Sequence, residues 1–256
     1  MTMTRLLKII KPILLFLFIS NIVKGQEIFT KGIFVQNNDT LRYRLLYPLN
    51  YDTGSKYPVV VFLHGSGVRG SDNERQLTNV PGIFMNSAFR LQYPCFLLVP
   101  QCAQNDAWVN FPKFPLSIKA TDTPTVSSRL TLALIEKLAR SAFVDKKRIY
   151  LTGYSMGGEG TFDLLTRKPG LFAAAIPVCS VSDTAKAFLI KDIPIWVFHG
   201  SKDEVNNVQY ARLMVDALKR VGSSVQYTEY PDDGHKIWSK VYEKSELFSW
   251  LFNQTR

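Results

Sequence analysis

The chain has 256 residues, 46% of them hydrophobic and 20% charged, with a formal net charge of +10. This is the composition of a globular protein long enough for one sizeable domain, which excludes a disordered or low-complexity chain and removes any need for disulfide or metal staples. The basic residues are scattered rather than gathered in a stripe, so a nucleic-acid partner is not indicated.

Residues 1–25 read as a secretory leader. Arg5, Lys8 and Lys11 make a basic start, and Ile13 to Val23 is an apolar run broken only by Ser20 and Asn21. Val23 and Gly25 occupy the −3 and −1 positions of a cleavage site before Gln26. The apolar run is short for a membrane span, so the expectation is a secreted or periplasmic protein without stable membrane insertion once the leader is removed. An uncleaved N-terminal anchor is the alternative. The leader holds four of the 31 basic residues and none of the 21 acidic ones, which leaves the mature chain at +6.

Residues 28–36 and 40–47 alternate apolar and polar around Asn37-Asn38-Asp39 and predict an opening β-hairpin. Pro58 to Leu63 is a continuous apolar run rich in β-branched residues, and similar runs recur at 95–100, 148–152, 173–178, 193–198 and 225–230. Runs of that kind mark strands buried on both faces. Helical spacing fills 126–142, with Ser127 or Ser128 as candidate N-caps, then 156–166 and 208–221. Strand alternating with helix predicts a single α/β domain over 26–256, built on a mostly parallel sheet with helices on both faces. Two segments fit neither pattern. Residues 66–73 are rich in Gly and Ser, and 101–124 form a long connection whose Trp108, Phe111 and Phe114 make it too apolar for disorder.

Cys95, Cys102 and Cys179 are an odd number, so at least one thiol stays unpaired within the monomer. Cys95 and Cys102 flank a strand about 23 Å long if fully extended, which keeps them apart. A bond between Cys102 and Cys179 is left open, beside the reading of small buried apolar side chains.

The chemistry begins at Gly153-Tyr154-Ser155-Met156-Gly157. Alone, Gly-x-Ser-x-Gly is weak, and a structural strand–helix turn could produce it. Here a strand leads in and a helix leads out, as a nucleophile elbow requires, which would place the Ser155 hydroxyl at a helix N-terminus. A serine hydroxyl needs a base. Of the three histidines, His64 and His199 each end an apolar strand and suit structural roles, whereas His235 lies on a polar loop after the last strand. Chain order Ser, acid, His then selects Asp203, in the loop after the preceding strand. Glu204 is the weaker candidate, and Asp232 and Asp233 read as turn residues. The backbone N–H of Met156 and one from the loop His64-Gly65-Ser66-Gly67, placed at Ser66, would hold an oxyanion. That glycine-rich loop lacks a following Gly-Lys-Ser/Thr, so it is not a phosphate cradle. No grouping has metal-ligand spacing, and neither metal nor cofactor is expected.

Leu63 to Asn73, Val99-Pro100-Gln101 with Trp108, Gly153 to Gly158, His199-Gly200 with Asp203, and Gly234-His235 with Trp238 follow one pattern. It resembles the α/β-hydrolase fold of the secreted esterases related to polyhydroxybutyrate depolymerases, feruloyl esterases and the phospholipase/carboxylesterase group. The resemblance runs over nearly the whole mature chain and departs at Val68, where a Glu often stands before Arg69. It implies a serine carboxylic-ester hydrolase acting through an acyl-enzyme, on an ester carried by a small molecule or polymer, carbohydrate among them. It also implies that Gln101, Trp108 and Trp238 lie near the substrate pocket, although large aromatics are often only packing. A prolyl-oligopeptidase-like serine peptidase and a catalytically silent polysaccharide-binding protein are the competing readings.

Overall fold

The computed structural model describes residues 28–115 and 117–256, and the leader expected over 1–25 lies outside them. Strand β1 (Thr30–Gln36) turns back into β2 (Asp39–Leu46) with Gln36 opposite Asp39. The two connecting residues, Asn37 and Asn38, have φ of 52° and 66°. Asparagine tolerates this left-handed backbone, and two such residues make the turn whose twist matches a hairpin.

Strand β3 (Tyr57–Leu63) is buried along its whole length. Short 3-10 turns at Ser66–Val68, Arg75–Leu77 and Gly82–Met85 lead to α1 (Ser87–Gln92) and β4 (Phe96–Gln101). The long connection through residue 125 carries no regular element among its described residues and enters α2 (Val126–Ala139). There follow β5 (Val144–Tyr154), α3 (Met156–Arg167), β6 (Ala174–Val178), β7 (Trp196–Gly200), α4 (Val208–Arg220), β8 (Gln226–Tyr230), α5 (Trp238–Tyr242) and α6 (Ser245–Phe252). The expected strands and long helices are present, with ends shifted by a few residues.

The N-cap of α2 differs from expectation. Thr125 is extended and its Oγ1 accepts from Ser128 N, while Ser127 and Ser128 are already helical and buried. Ser128 Oγ instead reaches Asp163 on α3. Helices α1, α5 and α6 have no counterpart among the expected elements, because five to eight residues hold too few turns to show a period.

The eight strands lie in the order β1-β2-β4-β3-β5-β6-β7-β8. β1, β2 and β4 pair antiparallel, and every pairing from β4–β3 onward is parallel. This is the α/β-hydrolase fold. The pleat of β3 sends Val59, Val61 and Leu63 to one face, where α2, α3 and α4 cover them. Val60 and Phe62 face the other layer, built from α1, α5 and α6 with Phe89, Tyr242 and Phe248. Cys95, Cys102 and Cys179 are buried in these layers as free thiols, so the Cys102–Cys179 bond left open by the sequence is not formed. Among the described residues no helix is long and apolar enough to cross a membrane.

One buried cation ties the hairpin to the loop after β3. Arg44, on β2, donates from Nε to the Asn73 carbonyl at 2.5 Å and from Nη1 to the Phe29 carbonyl at 3.3 Å. Asn73 in turn donates its backbone N–H to Gln101 Oε1 at 2.7 Å and its side-chain amide to the Gly32 carbonyl. Replacing Arg44 with Leu leaves two inward carbonyls unpaired, at a cost of about 2 kcal/mol. The expected outcome is a melting temperature lower by about 4–8 °C in a thermal unfolding experiment.

Candidate active site

The site stands at the carboxyl end of the parallel strands, where β3, β5, β7 and β8 each release a loop. Ser155 sits between β5 and α3 with φ 54° and ψ −126°, outside the regions ordinary side chains favour. Its amide donates to the Val178 carbonyl at 2.9 Å, and its carbonyl accepts from Glu159 N at 3.0 Å, which fixes the turn from both sides. The turn is possible only because the flanking residues lack side chains. A Cβ on Gly153 would come within 2.5 Å of the Gly157 carbonyl oxygen and 2.6 Å of the Leu63 one. One on Gly157 would collide with the Leu63 carbonyl itself.

From this elbow a hydrogen-bonded chain runs through three residues distant in sequence. Ser155 Oγ lies 2.9 Å from His235 Nε2, and His235 Nδ1 lies 2.8 Å from Asp203 Oδ2. Asp203 is buried, which works against its ionisation. Hydrogen bonds from His199, His235 and the Asn206 amide outweigh that burial and hold its carboxyl well below the usual range. Val205 N and Asn206 N supply Oδ1 at 2.9 and 2.8 Å. An ionised acceptor at Asp203 keeps the proton of His235 on Nδ1, leaving Nε2 free to take one from the serine.

The three histidines occupy different settings. His64 is buried between two loops, with Nδ1 2.7 Å from the Gly65 carbonyl and Nε2 accepting from Cys102 N at 3.0 Å. Burial lowers it to about 4, so it is a neutral clamp. His199 is closer to the chemistry than its expected structural role. Its Nε2 lies 2.7 Å from the Asn206 carbonyl and 3.1 Å from Asp203 Oδ2, so the acid carries two imidazoles. Ligand atoms of Cys179, His199 and Asp203 fall within 4.8 Å of one another, a grouping that sequence spacing does not show. Burial pushes the Cys179 thiol up to about 12, and both Asp203 oxygens are already engaged, so this trio is not ready to take a cation.

Ser66 and Met156 each open a helical turn, the position whose N–H has no intrahelical acceptor. Gln101 is buried with both ends engaged, Oε1 by Asn73 N and Nε2 by Asp72 Oδ1 at 2.7 Å, so it shapes the cleft only through the loop it holds. Trp108 is fully buried, donates Nε1 to the His64 carbonyl at 2.9 Å and packs edge-on to that imidazole. Both residues were expected at the pocket and instead build its supports. Trp238 is half-buried, stacked on Tyr154 at 4.4 Å and roughly perpendicular to the His235 ring at 6.0 Å. It walls a groove of about 440 Å³ with Asn79, Val80 and Ile83.

The pattern of one protein family, phospholipase/carboxylesterase, matches residues 52–248. The chain belongs to that family. A solved thermostable esterase superposes with a TM-score of 0.82 at 37% identity, over 90% of this chain and 64% of that one. Acyl-protein thioesterase 1 of Neurospora crassa is 33% identical over 45% of this chain and 50% of its own length. A bifunctional acetylxylan esterase/xylanase of Neocallimastix patriciarum is 30% identical over 30% of this chain and 11% of its own length. The chain thus spans half or less of these two curated relatives. Family membership makes it an esterase- or thioesterase-type α/β hydrolase.

Three residues beside the triad positions lie outside the candidate site residues that the sequence supplies. His199 is legible in hindsight as a histidine four residues before the acid, and Asn206 as a polar residue three after it. Glu159 stands one helical turn after Ser155, where an acidic residue is readily taken for a dipole partner.

The buried His64 makes stability depend on pH. Unfolded, its imidazole takes a proton near pH 6.5, whereas in the fold it does so only near 4. Between those values the unfolded chain binds more protons, so stability falls as pH drops through that window, by about 3 kcal/mol in all. Chemical unfolding of wild type and His64→Gln at pH 7 and pH 4.5 checks this. The variant is expected to be less stable at pH 7 but to lose clearly less on acidification.

Proposed function

We propose that this protein is a serine carboxylic-ester hydrolase that works through an acyl-enzyme, with Ser155 as nucleophile, His235 as general base and acid, and Asp203 as its orienting partner. The single observation that carries the reading is the continuous chain from Ser155 Oγ through His235 to Asp203, at 2.9 and 2.8 Å, closed on a strained elbow. Such a chain activates a hydroxyl that is otherwise a weak nucleophile.

In the first half-reaction His235 Nε2 takes the Ser155 proton as Oγ attacks the ester carbonyl. The N–H groups of Met156 and Ser66 receive the oxyanion, and the tetrahedral adduct collapses as imidazolium returns its proton to the departing alcohol. Water repeats the sequence with the acyl-enzyme, releasing the acid and restoring the serine. The acetylxylan esterase relative favours an ester borne by carbohydrate as the substrate. The leader pattern of residues 1–25 favours a place outside the cytoplasm.

The test is turnover of p-nitrophenyl butyrate together with labelling by a fluorophosphonate probe. Wild type is expected to turn over and to label at Ser155. Ser155→Ala should lose both, with kcat down by about 10⁴ or more, and Asp203→Asn should fall by about 10⁴ with labelling slowed rather than abolished. An alanine variant that hydrolyses the ester at the wild-type rate overturns the assignment.

A further inference from the structure

His199 is the penultimate residue of β7, fully buried and four residues before Asp203. The loop it feeds is fastened to the loop that carries His235. Ser201 and Lys202 donate their backbone N–H groups to the Tyr230 and Asp233 carbonyls, both at 2.9 Å. Gly200 packs so closely that a Cβ there would collide with the Gly234 carbonyl. Acid and base therefore arrive on paired loops, and His199 is rooted in the strand from which one of them leaves.

The Nε2 of His199 faces two acceptors, the Asn206 carbonyl at 2.7 Å and Asp203 Oδ2 at 3.1 Å. A ring nitrogen between two acceptors carries its proton there, so His199 donates to both. Asn206 closes the ring by donating its own N–H to Asp203 Oδ1 at 2.8 Å. The other nitrogen, Nδ1, is buried with no hydrogen-bond partner among the described residues. That unmatched nitrogen costs free energy that an apolar ring of similar size would not, so packing alone does not account for the imidazole. Two donors meet at Oδ2, His199 at 3.1 Å and His235 at 2.8 Å, while two backbone amides meet at Oδ1. A carboxylate offers about four lone-pair sites, so these donors together set the plane of the group.

We propose that His199 is a positioning residue of the hydrolytic reaction, aiming Asp203 Oδ2 at His235 by occupying the other lone pair of that oxygen. The inference rests on the ester-hydrolase reading above. It gives His199 two effects on turnover. The donor keeps His235 in line with Ser155, and it draws off part of the carboxylate charge. Asp203 then does not hold the imidazolium too tightly for its proton to pass to the leaving alcohol. No other charged group nearby takes this part. The Cys179 thiol beside the same carboxyl is pushed up to about 12 by burial, and Glu159 acts on His235. Lys202 and Lys240 pair at the surface with Asp232 and Asp233.

The test follows p-nitrophenyl butyrate hydrolysis across pH in wild type, His199→Phe, His199→Gln and His199→Asn. His199→Phe removes the donor and should lower kcat by roughly 10–100-fold with KM within about twofold, as loss of a hydrogen bond to a charged group allows. The acid limb of its kcat/KM profile should move up by about half a pH unit or more, because the barer carboxylate keeps its partner protonated. His199→Gln, whose amide reaches the place of Nε2, should regain most of the lost kcat. His199→Asn falls one methylene short and should not, and it takes the place of the phenylalanine variant if that does not fold. A folded donor-free variant with wild-type kcat overturns the proposal. So does an equal loss in the glutamine variant, or an acid limb that does not move, since either would leave His199 a support of its loop and nothing more. A wild-type protein that neither hydrolyses the ester nor labels with fluorophosphonate brings down the hydrolase reading, and this role with it. One that labels and hydrolyses while His199→Phe matches it brings down only the role of His199.

Discussion

The close approach of α3 to the end of β3 is the contact on which the other features depend. Gly157 sits against the Leu63 carbonyl with no room for a methyl group, and Gly153 fills the same crevice from the β5 side. Because helix and strand touch at backbone distance, the chain must leave β5 and enter α3 within one residue, and that residue takes the strained backbone of Ser155. A non-glycine residue in such a conformation costs on the order of 1–3 kcal/mol. The cost is met by two backbone hydrogen bonds at Ser155 and by the burial of Leu164 and Leu165 farther along α3. The same approach presses His64 and its loop toward the helix start, so the two N–H groups expected to receive an oxyanion come from segments locked to each other.

Electrostatics then complete what packing begins. Asp203 is buried without a Lys or Arg partner, yet it is held ionised by four donors, two backbone amides on one oxygen and two imidazoles on the other. None of these donors is a Lys or Arg, so no permanent positive charge stands next to His235. In the proposed mechanism, the positive charge formed on His235 when it takes the serine proton would stand directly against this carboxylate. Asn206 links this arrangement to the sheet by donating Nδ2 to the Cys179 carbonyl at 2.8 Å.

Much of this was legible in the sequence because it rests on strong local signals. The buried strands announce themselves as unbroken runs of Val, Ile, Leu and Phe, and the elbow by glycines two residues either side of Ser155. With only three histidines, chain order alone selects His235. What stayed illegible depends on where side chains end. Gln101 and Trp108 stand in the right motifs, but their amide and indole groups point into the loops that flank the cleft. Nothing in a strand-ending His-Gly reveals that the Nε2 of His199 reaches the carboxylate four residues on. Glu159 gives no signal in sequence, because an acidic residue in a first helical turn already has an ordinary explanation. The short helices α1, α5 and α6 hold too few turns to show a period.

The distribution of support around the cleft indicates where substrate choice can vary without disturbing the chemistry. The long connection after β4 is fastened at its two ends. Asp106 accepts from Ser127 N at 2.8 Å, Thr125 donates to the Ala107 carbonyl at 2.6 Å, and Trp108 is pinned beneath the nucleophile helix. Between these fastenings Phe114 is exposed and rests on Tyr210 of α4. Substitutions at the fastenings would loosen His64 and the oxyanion loop together. Substitutions between them would change the wall that Phe111 and Glu159 share, together with the bonds of Ala120 to Asp183 and of Thr121 and Asp122 to Arg167. A fold that anchors its longest loop through the structural histidine can therefore redraw one side of its pocket while Ser155, His235 and Asp203 keep their distances.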